Sequence, residues 1–201
     1  MMIKCIIFDM GGIIIPEDTP LIRKVIAKEL GIDANQLTEM MNELHPHYTV
    51  GKITLRQAYD KVLEKLGNKT HESKKLLDLH IKILSKRMLE PYPAVLEYVD
   101  SLRKKYGVVL LTNTEIEIIK LYDNLPFMKH FDGFFKSVEL KMIKPNPEVY
   151  LHVLKEMGCK PNEAIFVDDR PENVEGAAKV GIKSFVYRDL ATLKKDLSTV
   201  L

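Results

Sequence analysis

Short apolar runs with no alternation recur along the chain, at Ile6-Ile7-Phe8, Val108-Val109-Leu110-Leu111 and Ala164-Ile165-Phe166-Val167. A half-exposed strand alternates apolar with polar residues, whereas a run of this kind suits a strand covered on both faces, as in a parallel sheet. Weaker strand patterns lie at Phe134 to Val138 and Ser184 to Tyr187. Helical periodicity fills the intervals: Ala94 to Lys105, Ile116 to Tyr122, Asn146-Pro147 onward through Leu154, Glu172 to Lys179, and Leu193 to Leu201. This alternation predicts an α/β fold built on a doubly wound parallel sheet.

From Pro16 to Met88 the pattern is helical only. Thr19-Pro20 supplies a capping hydroxyl and a first-turn proline for a helix whose apolar stripe is Leu21, Ile22, Val25, Ile26 and Leu30, with Gly31 as its stop. Leu37, Met40, Met41 and Leu44 mark a second helix after Asp33. Leu55, Ala58, Tyr59, Val62 and Leu66 mark a third, opened by the capping box Thr54-Leu55-Arg56-Gln57. Leu76, Leu77, Ile81, Leu84 and Met88 mark a fourth. The expected organisation is a core of residues 1–15 and 90–201 with an inserted α-helical cap over 16–89. Two short crossings, near Pro16 and Pro91, would join them and serve as hinges.

A length of 201 residues accommodates this plan. The net charge of +2, with lysines interspersed among glutamates, describes a solvated surface and gives no basic, aromatic-laced face for nucleic acid. The chain has no apolar run long enough to span a membrane, and Met1-Met2-Ile3-Lys4 leads directly into the first strand. With two cysteines, Cys5 and Cys159, the expectation is a cytoplasmic protein with structural thiols.

The chemistry sits where the apolar runs stop. Asp9, Thr112-Asn113 and Asp168-Asp169 follow three of the strands, so a parallel sheet would gather them at one carboxyl edge, where such folds bind ligands. Lys144, in Lys-Pro-Asn-Pro-Glu-Val-Tyr, adds a cation. Singly, each has a plain structural explanation: a turn aspartate, a β-forming threonine, a Lys-Pro turn, an acidic helix start. Together they suit phosphoryl transfer. Asp9 is the candidate nucleophile. Gly11 and Gly12 would let backbone amides approach an anion, Thr112 and Asn113 would donate to phosphoryl oxygens, and Lys144 would neutralise the transferring group. An adjacent pair of carboxylates calls for a hard cation, and Mg²⁺ would find oxygen ligands in Asp9, the Gly11 carbonyl and Asp169. Arg170 follows the pair and can neutralise Asp168 or bind a phosphate. The six histidines form no zinc motif, although His45 and His47 are placed to reach a pocket.

The order Phe8-Asp9-Met10-Gly11-Gly12, Leu111-Thr112-Asn113, Lys144-Pro145 and Asp168-Asp169 resembles the haloacid dehalogenase-like hydrolase superfamily. Within it, the chain is most similar to the phosphatase branch that includes glucose-1-phosphate phosphatase and the amino-terminal domain of soluble epoxide hydrolase. The resemblance implies a Rossmann-like sheet of strand order 3-2-1-4-5 and a Mg²⁺-dependent phosphatase of a small phosphorylated metabolite, such as a sugar phosphate. It further implies an aspartyl-phosphate intermediate on Asp9, Asp169 as direct metal ligand, Asp168 acting through water or on Lys144, and Asn173 supporting the acidic loop. One departure stands out: where the common pattern has a second aspartate, acid to the leaving group and base to water, this chain has Gly11. Two rival readings follow, a metal-independent dehalogenase using the same nucleophile, and an impaired phosphometabolite-binding regulatory protein.

Overall fold

In a computed structural model, which describes residues 2–122 and 124–201, the strands β1 (Cys5–Phe8), β2 (Gly107–Thr112), β3 (Gly133–Lys136), β4 (Ala164–Asp168) and β5 (Lys183–Val186) form one parallel sheet. The order is β3-β2-β1-β4-β5, as expected. The register aligns Ile6 with Val108 and Ile165, and Phe8 with Leu110 and Val167. This row packs against helices α5 (Pro93–Arg103) and α10 (Leu190–Ser198). The alternate row, Cys5, Ile7, Val109, Leu111 and Phe166, packs against α8 (Pro147–Glu156) and α9 (Pro171–Lys179). Both rows are fully buried, which is why no polar residue interrupts the three central strands before their last positions.

Helices α1 (Thr19–Leu30), α2 (Ala34–Tyr48), α3 (Leu55–Lys65) and α4 (Ser73–Met88) share a separate apolar cluster around Ile26, Leu37, Met41, Tyr59 and Leu76. The capping box of α3 forms in both directions, with Thr54 Oγ1 accepting the Gln57 N–H at 3.1 Å and Gln57 Oε1 accepting the Thr54 N–H at 2.8 Å. The chain crosses between this four-helix unit and the sheet layer at two adjacent places. There the Tyr92 N–H donates to the Ile14 carbonyl at 2.8 Å, and Arg87 Nε pairs with Asp18 at 3.2 Å. No helix among the described residues is long and apolar enough to cross a membrane.

Several local expectations are corrected. Thr19 lies inside α1 and does not cap it; its N–H is taken by Glu17 Oε1 at 3.1 Å. Leu21 is 41 % exposed, and Arg23 instead occupies the buried face beside Ile22 and Ile26. Helix α2 continues through Pro46, so His45 and His47 are helical. The Ile116–Tyr122 helix shrinks to the single turn α6 (Ile119–Tyr122). Strand β3 stops at Lys136 and yields to the short helix α7 (Ser137–Leu140). There the Ser137 hydroxyl accepts the Thr114 N–H at 2.9 Å and donates to the Thr49 carbonyl at 2.7 Å, fixing the residue to loops on either side. Asn146 makes no side-chain capping bond to α8. Helix α10 begins three residues early because Asp189 caps it through the Thr192 N–H at 2.8 Å.

Candidate active site

The parallel register delivers the strand ends to one place. Asp9 follows β1, with its N–H donating to the Val167 carbonyl at 2.9 Å, so it stands beside the end of β4, where Asp168 is the last residue. Lys144 Nζ lies between them, 2.6 Å from Asp9 Oδ1 and 2.7 Å from Asp168 Oδ2. All three are buried. The loop carrying Lys144 is held by Asn113, whose side chain accepts the Lys144 N–H at 3.0 Å and donates to the Lys144 carbonyl at 2.9 Å. Asn113, expected to donate to phosphoryl oxygens, lines the cavity, and its carbonyl and one amide hydrogen place the cation.

Asp168 is fully buried and surrounded by donors: Lys144, the Arg170 N–H at 2.9 Å and the Asn173 amide at 2.9 Å. Asn173 thus bonds the acidic loop. The Arg170 guanidinium pairs with Glu17 at 3.6 Å, while the Arg170 main-chain N–H donates to Asp168. Asp169 differs from its neighbour in having a buried Oδ1 without a hydrogen-bond partner among the described residues. Carboxylate oxygens of Asp9, Asp168 and Asp169 lie within 4.8 Å of one another. An orphaned acceptor in a set of hard oxygen donors fits Mg²⁺, which takes a few carboxylates and completes its shell with water and substrate oxygens.

Burial raises the Asp9 pKa to about 7, opposed by Lys144 and reinforced by the Asp168 charge. Burial also raises Asp169 to about 6, with Asp168 and Glu17 adding repulsion. For Lys144 burial acts downward, but the two carboxylates more than reverse it and its pKa is raised. The ammonium is therefore the fixed charge of the cluster, and the carboxylates are the groups that a second cation would pull into full ionisation.

Of the two glycines expected to share one task, only Gly12 has left-handed backbone, with φ of 72°. A Cβ there would collide with Asp169 Oδ2, so the acidic loop needs a glycine opposite it. Gly11 has ordinary φ, and among the described residues, chain neighbours aside, a Cβ would meet nothing within 4 Å except Glu17 Oε2 at 3.6 Å.

Above the cluster is a cavity of about 410 Å³. Its floor includes Asp9, Thr112 and Lys144, and its far wall comes from the four-helix unit, with Arg23, His45 and Tyr48. His45 reaches the cavity and His47 does not line it. Burial, then the Arg170 and Arg23 charges, lower the His45 pKa to about 4, so the ring is neutral. Arg23 is 5 % exposed and gives Tyr48 OH one bond at 3.2 Å, while its Nε and Nη1 have no partner among the described residues. Glu115, in the loop after β2, also lines the cavity, and burial raises it to about 7. Arg23, Glu17 and Glu115 were not singled out from the sequence. The only signal was an arginine flanked by Ile22 and Ile26 on an apolar stripe.

A haloacid dehalogenase-like hydrolase family profile matches residues 3–181. The chain is 25 % identical over its full length to D-ribitol-5-phosphate phosphatase of Bacteroides thetaiotaomicron, covering 99 % of that protein. It is 32 % identical over 112 residues to bifunctional epoxide hydrolase 2 of Rattus norvegicus, a match that takes in 53 % of this chain and a fifth of the longer rat protein. A solved structure of a haloacid dehalogenase-family enzyme from Bacteroides thetaiotaomicron, in complex with magnesium and inorganic phosphate, superposes with a TM-score of 0.69 at 25 % identity, over 95 % of this chain and 98 % of that one. With the strand order, the buried Asp9-Lys144-Asp168 cluster and a profile match over most of its length, this chain belongs to the haloacid dehalogenase-like hydrolase family.

Proposed function

We propose that the protein is a Mg²⁺-dependent phosphatase of a small phosphorylated metabolite, a sugar or sugar-alcohol phosphate by class, acting through an aspartyl phosphate on Asp9. The observation that carries this reading is the buried ammonium of Lys144 between Asp9 and Asp168, beside the orphaned carboxylate oxygen of Asp169. A nucleophile directed at carbon has no need of three clustered carboxylates; a phosphoryl group arriving with a divalent cation does. The full-length similarity to a D-ribitol-5-phosphate phosphatase supports the substrate class.

In this mechanism an Asp9 oxygen attacks phosphorus in line with the leaving oxygen, the P–O bond to the alcohol breaks, and water then displaces Asp9 to release orthophosphate. Lys144 neutralises phosphoryl oxygens and stays fixed because Asp168 and Asn113 hold it at both ends, so little reorganisation accompanies the reaction. The Thr112 hydroxyl donates from the floor of the cavity. Asp9 and Asp169 would hold Mg²⁺, which when bound would supply charge stabilisation to the reaction. The four-helix unit serves as the cap, and its wall of Arg23, His45 and Tyr48 selects the alcohol.

The test is phosphate release from a panel containing p-nitrophenyl phosphate, D-ribitol 5-phosphate and glycerol 3-phosphate, with Mg²⁺ and with excess chelator. Release that needs Mg²⁺ and disappears in folded Asp9→Asn supports the reading. Metal-independent activity on 2-haloacids, with none on the phosphates, overturns it.

A further inference from the structure

The departure at Gly11 leaves the reaction without its usual proton carrier, and the structure places another carboxylate beside that position. Among the described residues, neighbours in the chain aside, the one atom within 4 Å of a Cβ placed on Gly11 is Glu17 Oε2, at 3.6 Å. Glu17 comes from the crossing that leads into α1. Its Oε1 is tied down by the Thr19 N–H at 3.1 Å and faces the Arg170 guanidinium at 3.6 Å, while Oε2 has no hydrogen bond to any described residue. The carboxylate lines the same cavity as Asp9, Thr112 and Lys144, and its side chain keeps 32 % exposure, enough to exchange protons with water.

From this geometry we infer that Glu17 is a catalytic residue of the reaction, standing beside the position that Gly11 leaves without a side chain and serving as general acid and general base. The inference rests on the phosphatase reading above. In the first step the Asp9 oxygen forms its bond to phosphorus, the bond from phosphorus to the leaving oxygen breaks, and the Glu17 carboxylic acid gives its proton to that oxygen, so an alcohol departs. In the second, Glu17 carboxylate takes a proton from the attacking water. The water oxygen bonds to phosphorus, the Asp9–phosphorus bond breaks, and orthophosphate leaves with Glu17 protonated for the next cycle. Glu115 lines the cavity too, but it does not approach Gly11; it faces the charge of Arg23 on the side of the four-helix unit.

Glu17→Gln keeps an acceptor for the Thr19 N–H and removes the proton. In rapid-mixing assays the variant should release the first equivalent of nitrophenol from p-nitrophenyl phosphate at close to the wild-type rate, because that leaving group departs without protonation, and then stall. Turnover of D-ribitol 5-phosphate or glycerol 3-phosphate should fall by about 10² to 10⁴. A purely structural role for Glu17 would slow the nitrophenol burst and alkyl turnover alike, and that result overturns the inference. So does unimpaired alkyl turnover, or the same split appearing in Glu115→Gln and not in Glu17→Gln. If the wild-type protein cleaves p-nitrophenyl phosphate through Asp9 but neither alkyl phosphate, no acid operates and Glu17 is refuted while the phosphatase reading stands. If it cleaves none of the three, that reading fails first.

Discussion

Asp168→Asn is nearly isosteric, yet it should be among the most damaging single changes in the chain. Both Asp168 oxygens accept: Oδ2 from Lys144 at 2.7 Å, and Oδ1 from the Arg170 N–H and the Asn173 amide, each at 2.9 Å. An asparagine has one acceptor and one donor, so whichever way it turns, its NH₂ meets a donor. Facing Lys144, it sets NH₂ against a buried ammonium; facing the loop, it sets NH₂ against two N–H groups. The residue has no exposure through which water can intervene. Breaking a buried, hydrogen-bonded ion pair costs about 3–5 kcal/mol, a large part of the roughly 5–15 kcal/mol that holds a domain together. Asp169→Asn is the matched control. Its Oδ1 is already orphaned and its carboxyl already raised to about 6 by burial and by the Asp168 and Glu17 charges, so neutralising it should be neutral or stabilising in chelator. Urea unfolding of both variants at pH 7.5 in chelator gives the comparison. A loss under about 1 kcal/mol for Asp168→Asn, or equal losses for the two, would refute the assignment of Asp168 as the anchor of Lys144.

Gly12→Ala should cost about 1–2 kcal/mol from the left-handed backbone alone, and its Cβ would displace the Asp169 carboxylate; unfolding assays and Mg²⁺ titration should show both losses, and wild-type values in each would contradict it. The buried His80, bonded to Tyr59 at 2.8 Å, has its pKa lowered to about 3 by burial and by Arg23. The unfolded chain therefore takes up this proton first: the stabilisation is complete above pH 6.5 and is lost as pH falls toward 3, by about 2 kcal/mol at pH 5. Urea unfolding at pH 7.5 and 5 should show a shallower decline in His80→Gln, and parallel declines would dismiss His80 as the cause.

The sheet was legible because each central strand is covered on both faces and so carries an uninterrupted apolar run, and the chemistry was legible because polar residues begin where that cover ends. Asp9, Thr112, Lys144 and the Asp168-Asp169 pair all meet at that edge. What periodicity could not supply was the partner of each helix face. In α1 it identified a stripe through Ile22 and Ile26, but Leu21 and Arg23 flank that stripe equally, and only the packing of α2 and α4 decides that the arginine is inside and the leucine outside. Glu17 was hidden for a similar reason. Its nearness to Gly11 depends on the path of the loop between β1 and α1, which no local pattern encodes. Asn113 lines the cavity, but its bonds to the Lys144 main chain link residues distant in sequence.

The central claim is a covalent phosphoryl group on Asp9. Acid quench of the Glu17→Gln variant during turnover of p-nitrophenyl phosphate with Mg²⁺, followed by intact-mass and peptide mass spectrometry, tests it directly. The account predicts one added phosphoryl group, confined to the peptide containing Asp9 and absent when Asp9 is also changed to Asn. Nitrophenol release that stalls after one equivalent with no phosphorylated protein at any quench time, or a phosphoryl group on another residue, would contradict it.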